Sequence, residues 1–170
     1  MSSNVIKHGV LYGLSSMVST FLMYNGILGT FALMGIGIAV FIIILISAGK
    51  KHKAENGGFA SMCELVKTFS LILIIGLIIS TMFQFVYTMT MSEEKKEAFA
   101  EKMVEKQSAM MAKILPEEQL GDFEDAIYEQ ANAMFNPSAI LIGLLTGAVF
   151  SVIISLIPAA IMKKTRPEYT

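Results

Sequence analysis

The sequence predicts an all-α membrane protein, with four transmembrane helices and an extracytoplasmic helical hairpin between the third and the fourth. Three observations lead there. Of 170 residues, 54% are hydrophobic and only 16% charged, where an ordinary soluble domain has about a quarter of its residues charged. The charge is also uneven: long stretches carry none, while residues 92–137 hold most of the acids. Finally, the uncharged stretches approach or exceed the ~20 residues that cross a bilayer at about 1.5 Å of rise each.

The four spans fall at about 5–24, 27–48, 65–91 and 138–162 of a single membrane domain covering 1–170. The first is the least apolar, because Lys7 and His8 interrupt it between Ile6 and Val10. A cleaved signal peptide is the competing reading of that segment, but no A-x-A-like pair of small residues falls around Phe21 to Gly29. Asn25-Gly26 instead reads as a tight turn in which both residues supply positive φ, making spans one and two antiparallel neighbours. The second span, ILGTFALMGIGIAVFIIILISA, has no ionisable side chain, and the third contains LILIIGLIISTMFQFVYTM after Lys67. The fourth is built on ILIGLLTGAVFSVIISLIPAAIM.

Charge sets the expected orientation. The two ends and the connection from Gly49 to Glu64, with Lys67, hold eight basic residues against three acids, a net +5. Residues 92–137 hold five lysines against nine glutamates and two aspartates, a net −6. Lysine and arginine near helix ends resist translocation, so both termini are expected in the cytoplasm and the acidic insert outside. Lys50-Lys51-His52-Lys53 then reads as a topology anchor that also meets anionic headgroups. A nucleic-acid site would need a larger basic face with interleaved stacking residues. Asn56-Gly57-Gly58 is expected to turn the chain back to the membrane, where Phe59 is the first residue able to bury itself.

The stretch ENGGFASMCELVKTFSLILIIG after a basic loop, and NPSAILIGLLTGAVFSVIISLIPAAIMKK after an acidic helical insert, resemble a family of small bacterial multi-pass membrane proteins, the domain of unknown function (4199) family. The resemblance covers nearly the whole chain. Its most specific parts are Asn56-Gly57-Gly58-Phe59-Ala60-Ser61 and the fourth span ending in Lys163-Lys164. It implies a four-span fold in the inner membrane, and it implies no activity.

The insert has helical periodicity. Phe99, Met103, Met110 and Ile114 recur at helical spacing among charged residues, which predicts an amphipathic helix. Pro116 suits a first helical position, and Leu120, Phe123, Ile127, Ala131 and Met134 form the stripe of a second helix that Asn136-Pro137 ends. Whether span three runs on into the first of these or bends near Thr88 to Ser92 stays open. Methionines 103, 110, 111 and 134 fit ordinary packing, a partner-accommodating surface or, least well, soft metal ligation.

Within the spans, Ala139, Gly143, Gly147, Ser151, Ser155 and Ala159 form a ridge at intervals of four, and Gly9 and Gly13 repeat the spacing in span one. Such ridges let helix backbones approach closely, within one chain or between chains. Gly76, Ser80, Gln84 and Thr88 repeat it in span three with rising polarity. Gln84 stands out as the most polar side chain deep in a span, so its amide is expected to meet another helix or a wet cavity. Pro158 is expected to bend span four, with the Ser155 hydroxyl or water serving the freed carbonyl.

No G-x-S-x-G, H-E-x-x-H or phosphate loop occurs. His8, His52 and Cys63 match no compact ligand motif, and the single cysteine excludes an internal disulfide. No cofactor or metal is expected. The expectation is a non-enzymatic structural or accessory subunit of the inner membrane. It would associate through the hairpin and through the faces that carry Gly143, Gly147, Ser151, Ser155, Gly9, Gly13 and Gln84. Its partners would be membrane lipids and a second copy or another envelope protein, with no nucleic acid. The alternative is a small oligomeric transporter or channel built around Ser80, Gln84 and Thr88.

Overall fold

A computed structural model of the chain describes residues 2–27 and 30–164. Among them lie six helices: α1 (Ser3–Tyr24), α2 (Thr30–Glu55), α3 (Met62–Thr90), α4 (Glu93–Met111), α5 (Glu117–Ala133) and α6 (Pro137–Met162). No strand forms among the described residues, and the one β-type contact is an isolated antiparallel bridge between Ala60 and Lys164. Three helical stretches, Ala32–Glu55, Met62–Thr90 and Pro137–Met162, are long and apolar enough to cross a membrane. The chain divides into two compact units, Met1–Phe83 with Leu144–Thr170, and Gln84–Gly143. The second is larger than the insert read from sequence, since it takes in the last turns of α3 and the first turns of α6.

The helix ends follow from local chemistry. Ser2 caps α1, its hydroxyl accepting from the Val5 N–H. At the other end Gly26 takes a φ of +65° and the Ile27 N–H reaches back to the Leu22 carbonyl at 3.1 Å. That closure needs one left-handed residue. The expected pair of positive angles is therefore corrected: Asn25 has φ −88° and instead donates its side-chain amide to the Phe21 carbonyl at 2.8 Å.

A larger correction concerns the basic run. Lys50 to Lys53 are not in a loop; they are the last turns of α2, which continues to Glu55. Nothing in KKHKAE breaks a helix, and cations are favoured beside its terminal carbonyls. Termination waits for Gly57 and Gly58, with φ +67° and +89°, and is sealed by the Gly58 N–H on the Lys53 carbonyl at 2.7 Å.

Helix α3 then starts at Met62 through a reciprocal cap. The Ser61 N–H donates to Glu64 Oε2 at 2.8 Å, and the Glu64 N–H donates to Ser61 Oγ at 3.3 Å. Its far end settles the open question: α3 stops at Thr90, and α4 begins anew at Glu93. For α6, Asn136 is the cap, its Oδ1 accepting the Ser138 N–H at 2.9 Å, and Pro137 occupies the first helical position. Asn136-Pro137 thus starts α6, whereas α5 has already ended at Ala133.

The first unit has its core at the basic end, where Val5 of α1, Leu45 and Ala48 of α2, Leu65 and Phe69 of α3, and Ala159 of α6 are buried together. Asn4, 1% exposed, donates to the Ala48 carbonyl at 3.1 Å. Ala60 and Lys164 exchange backbone bonds of 3.0 and 2.9 Å. The beginning of α1, the α2–α3 connection and the end of α6 therefore meet at one end of the unit.

The second unit is organised differently. α4 and α5 pack on one another, burying Phe99, Ala100, Ile127 and Ala131, with the Phe99 and Phe135 rings edge to face at 5.6 Å. The α5 stripe lies where the spacing put it. The α4 stripe is covered only in part: Phe99 is buried and Met103 half-buried, whereas Met110 and, beyond the helix end, Ile114 are exposed, and the covered face also takes in Ala100 and Ser108.

Candidate functional site

The first candidate is the set of small-residue contacts. In α1, a Cβ added at Gly9 would lie 2.8 Å from Ile75 Cβ, and one at Gly13 would lie 2.8 Å from Ile79 Cβ. From the other side, a Cβ at Gly76 would collide with the Tyr12 ring and stand 3.1 Å from the Gly13 backbone nitrogen. α1 and α3 thus cross nearly backbone to backbone, which only glycine permits.

The α6 ridge is divided. A Cβ at Gly147 would meet the tip of Leu77 at 2.9 Å, while Gly143 has nothing within 4 Å. Ser151 and Ser155 are buried, each hydroxyl donating to the carbonyl four residues earlier, Gly147 at 2.8 Å and Ser151 at 2.6 Å. Ser155 therefore does not serve the Ile154 carbonyl that Pro158 frees, because its hydroxyl is already engaged by the Ser151 carbonyl. Within the three long apolar helices the open glycines are Gly143 on α6 and Gly35 and Gly37 on α2, none with a neighbour within 4 Å.

The polar residues Ser80, Gln84 and Thr88 of α3 each donate to a backbone carbonyl. Gln84 donates its Nε2 to the Met134 carbonyl, just beyond α5, at 3.3 Å. Twenty-nine residues at about 1.5 Å each make α3 about 43 Å long, close to the roughly 40–45 Å of a bilayer with its headgroups. Gln84 is six residues from the end of α3. Ser80 donates to the Leu77 carbonyl at 3.1 Å, and Thr88 to the Gln84 carbonyl at 2.9 Å.

The second candidate is a cleft of 520 Å³ in the second unit, lined mostly by polar groups. Glu93, Lys96 and Glu97 of α4 form one wall, and Tyr128 and Asn132 of α5 with Phe135 form another. Asn136 and Pro137, where α6 begins, complete it. Lys96 Nζ contacts Glu93 Oε1 at 2.6 Å. Sequence reading missed this cleft, because its walls come from three helices whose register only packing fixes.

The residues weighed for chemistry are dispersed into local bonds. His8 contacts the Asn4 carbonyl at 2.8 Å and Ser47 Oγ at 3.1 Å, while His52 contacts the Asn56 amide at 3.2 Å. Cys63 is exposed. Among the described residues no group of three or more His, Cys, Asp or Glu side chains is placed to hold a metal ion.

Three apolar helices of bilayer length, with apolar side chains along their outer faces, define a helical integral membrane protein. The family model described as Protein of unknown function (DUF4199) matches residues 7–164, and the chain belongs to that family. No curated protein and no solved structure matches it.

Proposed function

We propose that this protein is a non-enzymatic, four-span subunit of the bacterial inner membrane, structural or accessory in role, with α4 and α5 forming an extracytoplasmic hairpin that engages a protein partner. The fourth span is α1. Its 22 residues lie in close contact with α3, and its exposed face carries Leu11, Leu14, Val18 and Phe21. Ser15 and Ser19 return their hydroxyls to their own helix at 2.8 and 3.1 Å, which removes most of the cost of placing them in lipid. The meeting of the α1 start, the α2–α3 connection and the α6 end at one basic end supports both termini being cytoplasmic.

The observation that carries the association reading is on the insert. The α4–α5 pair has its own buried core, yet Met110 and Ile114 are exposed in a stretch with charged neighbours of both signs, Ile114 at 76%. Apolar side chains beside charge on an otherwise water-facing surface fit a partner contact, and the open glycines Gly143, Gly35 and Gly37 offer a second surface within the membrane. The alternative of an oligomeric pore gains nothing from Ser80, Gln84 and Thr88, whose donors are all engaged by backbone carbonyls.

The test is a pull-down from native membranes through a C-terminal tag, with the mass of the intact complex measured. A stoichiometric second protein, lost on Met110→Glu/Ile114→Glu substitution, is the expected result. A lone monomer in native membranes would overturn the reading, and a pure homo-oligomer would move the role toward transport.

A further inference from the structure

We propose that the cleft between α4, α5 and the start of α6 binds a zwitterion carrying a phosphate and a primary ammonium, the chemistry of an ethanolamine phospholipid headgroup. This does not depend on the association reading. Charge of both signs lines one wall. Lys96 is the sole cation among the lining residues, and the NH2 of Asn136 is the group that side chain can offer, because its Oδ1 is held by the Ser138 N–H. These are donors for an anion, and an ammonium such as that of Lys96 is a strong phosphate partner. Two carboxylates stand against them. Glu93 is paired with Lys96, whereas Glu97 forms no ion pair among the described residues. Glu97 shares the cleft with Tyr128 and Phe135, and a carboxylate in a cleft that also has aromatic lining residues suits a cationic amine.

The position of the cleft agrees with that ligand. Glu93 lies three residues after the end of α3, and Pro137 is the first residue of α6. Helices of 29 and 26 residues are about 43 and 39 Å long, so their ends reach the headgroup layer of a bilayer roughly 40–45 Å thick overall. With α3 and α6 read as spans, a cleft formed by residues next to their ends suits a headgroup ligand. The headgroup could equally arrive on a soluble glycerophosphoryl ester, which presents the same two charges.

The experiment uses the full chain, purified in detergent and titrated with single phospholipids under native mass spectrometry. With matched acyl chains, phosphatidylethanolamine should be retained in preference to phosphatidylcholine, which cannot donate to Glu97, and to phosphatidylglycerol, which has no ammonium. Lys96→Gln and Glu97→Gln should each weaken ethanolamine-lipid retention about tenfold, the loss of one charge-assisted hydrogen bond. Lys96→Arg should restore most of it, which a folding defect would not allow, and Lys102→Gln, outside the cleft, should change nothing. Free glycerophosphoethanolamine supplied as competitor separates the sources: displacement of the lipid means the headgroup suffices, and no displacement means the acyl chains are required. Equal retention of all three lipids, or wild-type retention by both glutamine variants, overturns the proposal.

Discussion

The two units bury residues for opposite reasons. In Gln84–Gly143 the helix pair α4–α5 hides Phe99, Ile127 and Ala131 and exposes Glu94, Lys95 and Glu97, the arrangement of a protein in water. In the unit formed by Met1–Phe83 and Leu144–Thr170 the outward residues are Leu14, Val18, Ile43, Val149 and Ile157, and the closest contacts are made by glycines. Lipid is as apolar as leucine, so burying leucine against another helix gains little there. Close approach of backbones and satisfied polar groups hold such helices together instead. The contrast teaches that exposure means different things in the two units, and substitutions can expose the difference.

The largest expected effect is in the α4–α5 pair. Phe99→Ala removes a buried ring and its edge-to-face partner Phe135, and should cost about 3–5 kcal/mol, read as lost hydrogen-exchange protection across residues 84–143. Next comes a lysine at Val149, 64% exposed and midway along α6. At a span centre it should raise the insertion free energy by about 2.5–3.5 kcal/mol, measured as loss of membrane-integrated protein. The same change at the still more exposed Ile114 should alter stability by less than about 0.5 kcal/mol. If both lysines are tolerated equally, the assignment of lipid to α6 and of water to the α4–α5 pair is wrong.

Smaller effects sharpen the packing side. Gly76→Ala drives a methyl into the Tyr12 ring and the Gly13 backbone, and should cost about 1–3 kcal/mol in thermal unfolding in detergent. Gly147→Ala meets only the mobile tip of Leu77 and should cost less, and Gly143→Ala, in open space, should cost nothing in the isolated chain. A loss of complex formation by Gly143→Ala without a change in melting would mark that position as an intermolecular contact. Last, Ser61→Ala removes half of the reciprocal cap on α3 and should cost about 0.5–2 kcal/mol.

Much of this was legible in the residues. Uncharged stretches of bilayer length fixed the three apolar helices, because hydrocarbon tolerates only a backbone that satisfies itself. The i, i+4 spacing of Gly9 and Gly13 pointed to a close helix approach. The cap on α3 is equally present in the sequence, as the S-x-x-E of Ser61 to Glu64. The basic run was misread as loop because charge was taken as the end of a helix, whereas charge ends only the apolar part of one.

By itself, the chain determined which segments are helical, which of them belong in lipid, and that one end is basic and the insert acidic, since these depend on neighbouring residues and on solvent. Tertiary structure alone decided which glycines are filled by a facing side chain and which stay open. It also buried Ala100 and Ser108 of α4, brought Gln84 to the Met134 carbonyl, and assembled a cleft from Lys96, Glu97, Tyr128 and Asn136. Those outcomes depend on the rotation and register of one helix against another, which small differences in packing set and which no local pattern encodes.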